Sequence, residues 1–252
     1  MSERVPVWVI SLERATDRRA FVRQVFGELG VDYEVIDAVD GLQLDERSIR
    51  AYSEWRALFR YGRGLGRGML AASMSHLRAY ERMLANDVPE VLIVEDDVRP
   101  NPDILRVLDE RDRFPSDWDV VTFHSLFEWS RPTPVDDGAI ANGYNICTYE
   151  RTPMGLQAYL INHSAARRVL DIAYPICLPP DELLFRPRPA GLTVYGIEPS
   201  PVVHEDFASE IHRTDAPAAV MSTTLAPLQA VVRLAGRADR RLHRRRVRSL
   251  SP

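Results

Sequence analysis

The chain is predicted to fold as an α/β protein with a mostly parallel sheet flanked by helices, and three stretches carry that expectation. Val91 to Val94 is a continuous apolar run, as in a central strand covered on both faces, and it leads straight into Glu95, Asp96 and Asp97. Val5 to Leu12 is a second apolar strand. Behind it, Thr16 to Leu29 sets Phe21, Val25, Phe26 and Leu29 on one helical face. Strands that alternate with helices argue for parallel pairing.

The elements follow in order. Thr16 or Asp17 can cap the first helix and Gly30 can end it. Tyr33 to Ile36 is the next strand, followed by a turn from Asp37 to Gly41 and a mixed region. The segment GRGLGRG, Gly62 to Gly68, follows no strand and has the wrong spacing for a dinucleotide fingerprint, so it reads as a mobile loop. Met69 to Leu84 is a helix with Leu70, Met74, Leu77, Tyr80 and Leu84 in line. It leads into the acidic strand, which is expected to turn at Arg99-Pro100. A helix near Asp103 to Leu108, a strand from Val120 to Phe123 and a long irregular stretch through Gly155 come next. A strand from Ala158 to Ile161 and a helix from Ser164 to Ile172 precede a proline-rich, loop-like stretch from Tyr174 to Pro189. Thr193 to Ile197 and Pro201 to His204 read as late strands.

Composition narrows the class. With 252 residues, 45% hydrophobic and 27% charged, the chain is long enough for one large domain or two small ones. All 32 basic residues are arginine, which excludes Schiff-base and Walker-type lysine chemistry. Cys147 and Cys177 lie far apart without a CxxC spacing, so neither a zinc site nor a disulfide framework is indicated, and a reducing cytosol fits. No cleavable leader or spanning stretch is evident, and the expectation is a cytoplasmic protein.

Charge is uneven. Eight arginines between Arg233 and Arg248 stand against Asp239 alone, leaving 24 arginines against 35 acids elsewhere, or −11. Leu225, Leu228, Val231, Val232, Ala235, Ala238 and Leu242 recur at helical spacing, so residues 214–252 form a basic tail that can become an amphipathic helix. Such a face suits the anionic inner surface of a membrane, and a solvated terminus is the equal alternative. No nucleic acid partner is expected, because the acidic body repels phosphates.

The three acids admit two readings. Carboxylates at the exposed end of a buried strand can hold a divalent ion and a phosphate-bearing substrate, since ligands of open α/β sheets bind beyond the carboxyl ends of strands. They can equally open a loop, with Asp97 or Asn101 capping the next helix.

The order of segments resembles glycosyltransferase family 25. VISLERATDRR (Val9 to Arg19) is similar to that family's first strand and arginine-rich loop, and YEVIDAVDG (Tyr33 to Gly41) to its second strand. SMSHLRAYERM (Ser73 to Met83) with VLIVEDDV (Val91 to Val98) resembles its serine-histidine helix and acidic metal motif. GLQAYLINHSAARRVL (Gly155 to Leu170), PPDELLF (Pro179 to Phe185) and VYGIEPSPVVHEDFASEI (Val194 to Ile211) complete the set. One departure stands out: Met69-Leu70-Ala71-Ala72 occupies the place of a glutamate-isoleucine-glycine-cysteine stretch.

The resemblance implies a GT-A-like, Rossmann-type domain over residues 1–213 that inverts configuration at the anomeric carbon. It implies a uridine diphosphate sugar as donor, galactose or glucose as the sugar, manganese or magnesium as cofactor, and a glycan, glycolipid or other hydroxyl acceptor of bacterial surface or lipopolysaccharide biosynthesis. Glu95 and Asp97, the outer acids, are the expected metal ligands, with His204 as the third. Asp96 would orient ribose or the donor sugar, and Gln157 would contact that sugar. Ser11, Leu12, Arg14 and Arg18, at the end of the first strand, would bind the nucleotide or its diphosphate, whereas Arg19 reads as a solvated face. Asp181, with Glu182 beside it, is the acceptor-side base. His76 reads as a structural hydrogen-bonding residue, and Tyr159, Met154 and Trp129 as packing. A metal-assisted hydrolase of sugars or phosphate esters, and a non-catalytic nucleotide-sugar-binding relative, are the competing classes.

Overall fold

The computed structural model describes residues 4–124, 131–149, 153–185, 190–205 and 207. The basic tail and Trp129 lie outside the described residues. Two compact units are present, one of residues 1–38, 75–172 and 180–208, the other of residues 39–74 and 173–179 in its described part.

The first unit is built on an eight-stranded sheet ordered β2-β1-β3-β8-β5-β9-β7-β6. Its strands are β1 (Val7–Ser11), β2 (Glu34–Asp37), β3 (Glu90–Glu95), β5 (Val120–Thr122), β6 (Pro132–Ala139), β7 (Asn145–Tyr149), β8 (Ala158–Asn162) and β9 (Val194–Glu198). β1 pairs in parallel with β2 and β3, and β5 with β9, whereas β8 is antiparallel to β3 and β5, and β7 to β9 and β6. Only β8 and β7 therefore run against the other strands, as the mostly parallel expectation requires.

Burial explains why these segments pair. All five residues of β1 are buried, and Val91, Leu92, Ile93 and Val94 are each 2% exposed or less, so the centre of the sheet is covered on both faces. Alternation then divides the side chains. Val7, Val9, Leu92 and Val94 join Val22 and Phe26 of α1 (Thr16–Leu29) in one cluster with Ile104, Val121 and Phe123. On the opposite face lie Trp8 and Tyr159, met by the C-terminal part of α4 (Arg67–Ala85): Arg82 stacks over the Trp8 ring at 5.2 Å, and Tyr80 is hydrogen-bonded to Tyr159. A further two-stranded sheet joins β4 (Val98–Pro100) to β10 (Val202–His204), antiparallel, with His204 opposite Val98.

The second unit is helical. α2 (Glu46–Arg50) and α3 (Glu54–Arg60) start at Asp45 and Ser53, whose side chains accept from the Ser48 and Arg56 N–H groups at 2.7 and 3.4 Å. Ser73, on the first turns of α4, donates to the Met69 and Leu178 carbonyls.

Several expectations are corrected. Residue Ala15, without a side-chain cap, precedes α1 in place of Thr16 or Asp17, because the chain turns there through an Ala15 N–H bond to the Leu12 carbonyl. Gly30 does end the helix, in the left-handed region at φ 63°. The segment read as a mobile loop is anchored: Leu65 is buried with its N–H on Tyr52 Oη at 2.9 Å, and α4 already begins at Arg67. The irregular stretch before Gly155 contains the β6–β7 hairpin, which its Pro132, Pro134 and Asp136-Asp137-Gly138 concealed. The stretch read as loop after Tyr174 contains a short helix, α7 (Pro180–Phe185), while α5 (Asp103–Asp109) and α6 (His163–Ala173) lie where expected. Among the described residues no helix is long and apolar enough to cross a membrane.

Candidate active site at the acidic strand end

The register of β1 against β3 sets the site. Ile10 lies opposite Glu95, so both strands end at one edge and the next residues, Ser11 and Asp96, meet. The expected turn at Arg99-Pro100 falls instead at Asp96-Asp97, because residues 98–100 are drawn into pairing with β10. That same pairing delivers His204, whose Nε2 lies 3.8 Å from Asp97 Oδ2, and the Glu205 N–H donates to the Asp97 carbonyl at 2.8 Å.

Asp96 is fully engaged. The Ser11 hydroxyl donates to its Oδ2 at 2.6 Å and the Arg18 guanidinium to its Oδ1 at 2.6 Å, and it is 6% exposed. Arg18 also reaches Asp97 Oδ2 at 3.1 Å and packs over the Phe207 ring at 5.3 Å. The expected diphosphate ligand is thus the cation that ties buried Asp96 to half-buried Asp97. Burial pushes the Asp96 carboxyl above its usual range against the pull of Ser11 and Arg18. Burial and then the Glu95 charge do the same for Asp97.

Asp97 Oδ1 is buried and has no hydrogen-bond partner. An acceptor so placed loses hydration without return unless a donor or cation meets it. The Gln157 side-chain oxygen, also buried and unpartnered, is a second such acceptor. Gln157 sits just before β8, and its carbonyl accepts from the Glu95 N–H at 2.8 Å.

Glu95, the other expected ligand, has a neighbour on α4. Its Oε1 lies 3.5 Å from His76 Nε2, and among the described residues no group of three His, Cys, Asp or Glu is gathered as a metal cage. The structure brings Asp97 and His204 together and turns Glu95 towards α4. His76 bonds to Tyr159 Oη at 2.8 Å, in keeping with the structural role expected of it.

Arg19 is no solvated face: its guanidinium donates to the Leu12 and Ser11 carbonyls and pairs with Asp37, bracing the loop after β1. Leu12 contributes that carbonyl, and Arg14 is exposed on the same loop. Asp181 and Glu182 lie on the first turn of α7, half-buried, with Asp181 Oδ1 accepting from the Glu182 N–H at 2.9 Å.

His124 was not singled out from the sequence. It follows β5 as His204 closes β10, and its Nδ1 lies 3.3 Å from Ser200 Oγ. Burial, with the nearby His204 adding, lowers its pKa. A histidine closing an apolar strand was the available signal.

Comparison with known proteins follows the same residues. The family model described as "Glycosyltransferase family 25 (LPS biosynthesis protein)" matches residues 4–184, which takes in Ser11, Arg18, the acidic turn and Asp181 and stops before His204. A glycosyltransferase 25 family member of Drosophila pseudoobscura pseudoobscura is 30% identical over 192 residues, covering 71% of this chain and 29% of that protein. Procollagen galactosyltransferase 1-A of Xenopus laevis is 26% identical over 193 residues, covering 71% and 30%. Inactive glycosyltransferase 25 family member 3 of Homo sapiens is 28% identical over 195 residues, covering 71% and 31%. The match thus spans less than a third of each of these animal relatives. Among solved structures, a glycosyltransferase involved in glycosylation of the major capsid of PBCV-1 aligns with a TM-score of 0.44 and 12% identity, covering 84% of this chain and 97% of that one. On the family match over most of its length, the chain belongs to glycosyltransferase family 25.

Proposed function

We propose that this chain transfers a hexose, galactose or glucose, from a uridine diphosphate sugar to a hydroxyl acceptor with inversion at the anomeric carbon. The acceptor in this reading is a bacterial surface glycan, lipopolysaccharide or related glycolipid, met at the cytoplasmic face of the membrane. The observation that carries it is Asp97: a half-buried carboxylate two residues past the C-terminal end of a central strand, with one oxygen buried and unpartnered and an imidazole 3.8 Å from the other.

Manganese or magnesium fits that donor set. Magnesium-like ions are held by one or two protein carboxylates with the rest of the shell from substrate phosphates and water, so Asp97 with His204 would suffice without Glu95. When bound, the ion would supply the positive charge that the departing diphosphate needs. The protein's own residues do the rest. Ser11 and Arg18 hold Asp96 and so fix the turn that presents Asp97. Gln157 would offer its unpartnered oxygen to a sugar hydroxyl, and Arg14, exposed on the loop after β1, would contact the nucleotide. Asp181 would take the proton of the acceptor hydroxyl, and Asp181→Asn should then lower transfer far more than donor binding.

The test is the melting temperature with uridine diphosphate galactose and glucose, each with and without manganese, followed by assay of transfer and slow donor hydrolysis. A metal-dependent shift with turnover supports the reading; no shift with either sugar and no turnover overturns it. A second reading, a nucleotide-sugar-binding relative without catalysis, is favoured by the relative named as inactive and by Met69 to Ala72. Metal-dependent binding without turnover would select it.

A further inference from the structure

Behind the acidic turn runs a row of polar side chains that none of these steps uses. Tyr80 Oη lies 2.7 Å from Tyr159 Oη, Tyr159 Oη lies 2.8 Å from His76 Nδ1, and His76 Nε2 points at Glu95 Oε1 from 3.5 Å. Tyr80, Tyr159 and His76 are 2, 0 and 2% exposed, whereas the Glu95 side chain is 30% exposed. The row therefore leads from the core to the edge of the site.

Its geometry follows from the fold. Tyr159 lies opposite Ile93, and Glu95, two residues on, shares that face of β3. His76 and Tyr80 are one turn apart on α4, so both point at the same strip of sheet. The two formed hydrogen bonds can run either way, and the Glu95 carboxylate selects between them. A carboxylate only accepts, so His76 must carry its proton on Nε2 to face Glu95 favourably. In that tautomer Nδ1 holds a lone pair, Tyr159 donates to it, and the Tyr159 oxygen accepts from Tyr80. Burial raises both phenols above their usual range, so both keep the protons this direction needs.

We propose that His76, oriented by Tyr159 and Tyr80, is a positioning residue that turns the Glu95 carboxylate out of the metal-binding set and presents it as an acceptor for a hydroxyl of the donor sugar. The inference rests on the nucleotide-sugar reading above. Glu95 then becomes a sugar contact, while Asp97 and His204 remain for the ion. The 3.5 Å approach is longer than a formed hydrogen bond, and such contacts tighten when substrate is bound.

Two measurements test it. Imidazole 15N spectra of the full chain, with the His76 signal identified by its loss in His76→Gln, should show the Nε2–H tautomer in the wild type and a mixed tautomer in Tyr159→Phe. An Nδ1–H tautomer in the wild type overturns the proposal without any activity assay. In donor hydrolysis with uridine diphosphate galactose, Tyr159→Phe should lower kcat about tenfold, the scale of losing an orienting partner, with its melting temperature close to the wild type. In a Glu95→Ala background the same change should cost nothing further. An equal loss in both backgrounds, or no loss in either, contradicts a role exerted through Glu95. If the wild type binds no nucleotide sugar, the glycosyl-transfer reading fails, and the proposed sugar contact of Glu95 fails with it; the tautomer then judges the hydrogen-bond relay alone.

Discussion

In the proposed reading, Asp97 is the side chain on which metal binding depends. Its burial and the Glu95 charge work against ionisation, while Arg18 and His204 work for it. Asp97→Ala is expected to abolish donor turnover and the manganese-dependent melting shift and to leave the far-UV circular dichroism unchanged, since it relieves a buried charge rather than a packing contact. Arg18→Ala should act in the opposite sense. It strands Asp96 and Asp97 without their cation, and the loss of one member of a buried pair costs about 3–5 kcal/mol, measurable by urea unfolding at neutral pH. A carboxylate remote from the turn gives a pH prediction. Burial raises Glu198 above its ordinary 4.5, so the folded protein holds that proton to higher pH than the unfolded chain does. Its contribution to stability therefore declines as pH climbs from 4.5 through the folded value, and Glu198→Gln should flatten that decline in melting temperature between pH 4.5 and 7.

At the scale of elements, two glycines show what the backbone requires. Gly30 ends α1 at φ 63° with open space around a would-be Cβ, so Gly30→Ala meets only backbone strain and should cost about 1 kcal/mol. Gly196 in β9 is different, because a Cβ there would fall on the Tyr149 ring of the neighbouring strand. Gly196→Ala must push that ring aside and should cost about 1–3 kcal/mol by thermal unfolding, with the loss of the Tyr149–Glu198 hydrogen bond. The elements legible in the sequence were those with one dominant period. β1, α1, β3, α4, β8 and α6 each carry a continuous apolar run or a clean helical stripe, and each lies within a few residues of its expected place. β6 carries neither: exposed on most of its length, rich in Pro, Asp and Gly, it is held by pairing with β7 rather than by burial. The site divides on the same line. Local sequence marks the acids of one strand end, but the partners that decide their roles come from distant positions: Arg18 lies 78 residues from Asp96, and Tyr159 lies 83 from His76. That Glu95 would face His76 depends on the placing of α4 against the sheet, which no local pattern encodes.

Over the whole molecule, the sheet explains why the acids can be buried at all. Six co-directed strands bring the carboxyl ends of β1 and β3 to one edge, where Ser11 and Arg18 from the β1 side meet Asp96 and Asp97 from the β3 side. The short β4–β10 sheet then adds His204 from nearly the other end of the described chain. The site is a product of topology, and the family match, which ends at residue 184, covers the sheet edge but not this last contributor. The most direct measurement is a titration of manganese and uridine diphosphate galactose, together and separately, into wild-type protein and Asp97→Ala, read by calorimetry. The wild type should bind the two with positive coupling, and Asp97→Ala, still folded, should lose that coupling. Binding of the nucleotide sugar that is equally tight in both proteins and indifferent to manganese would contradict it.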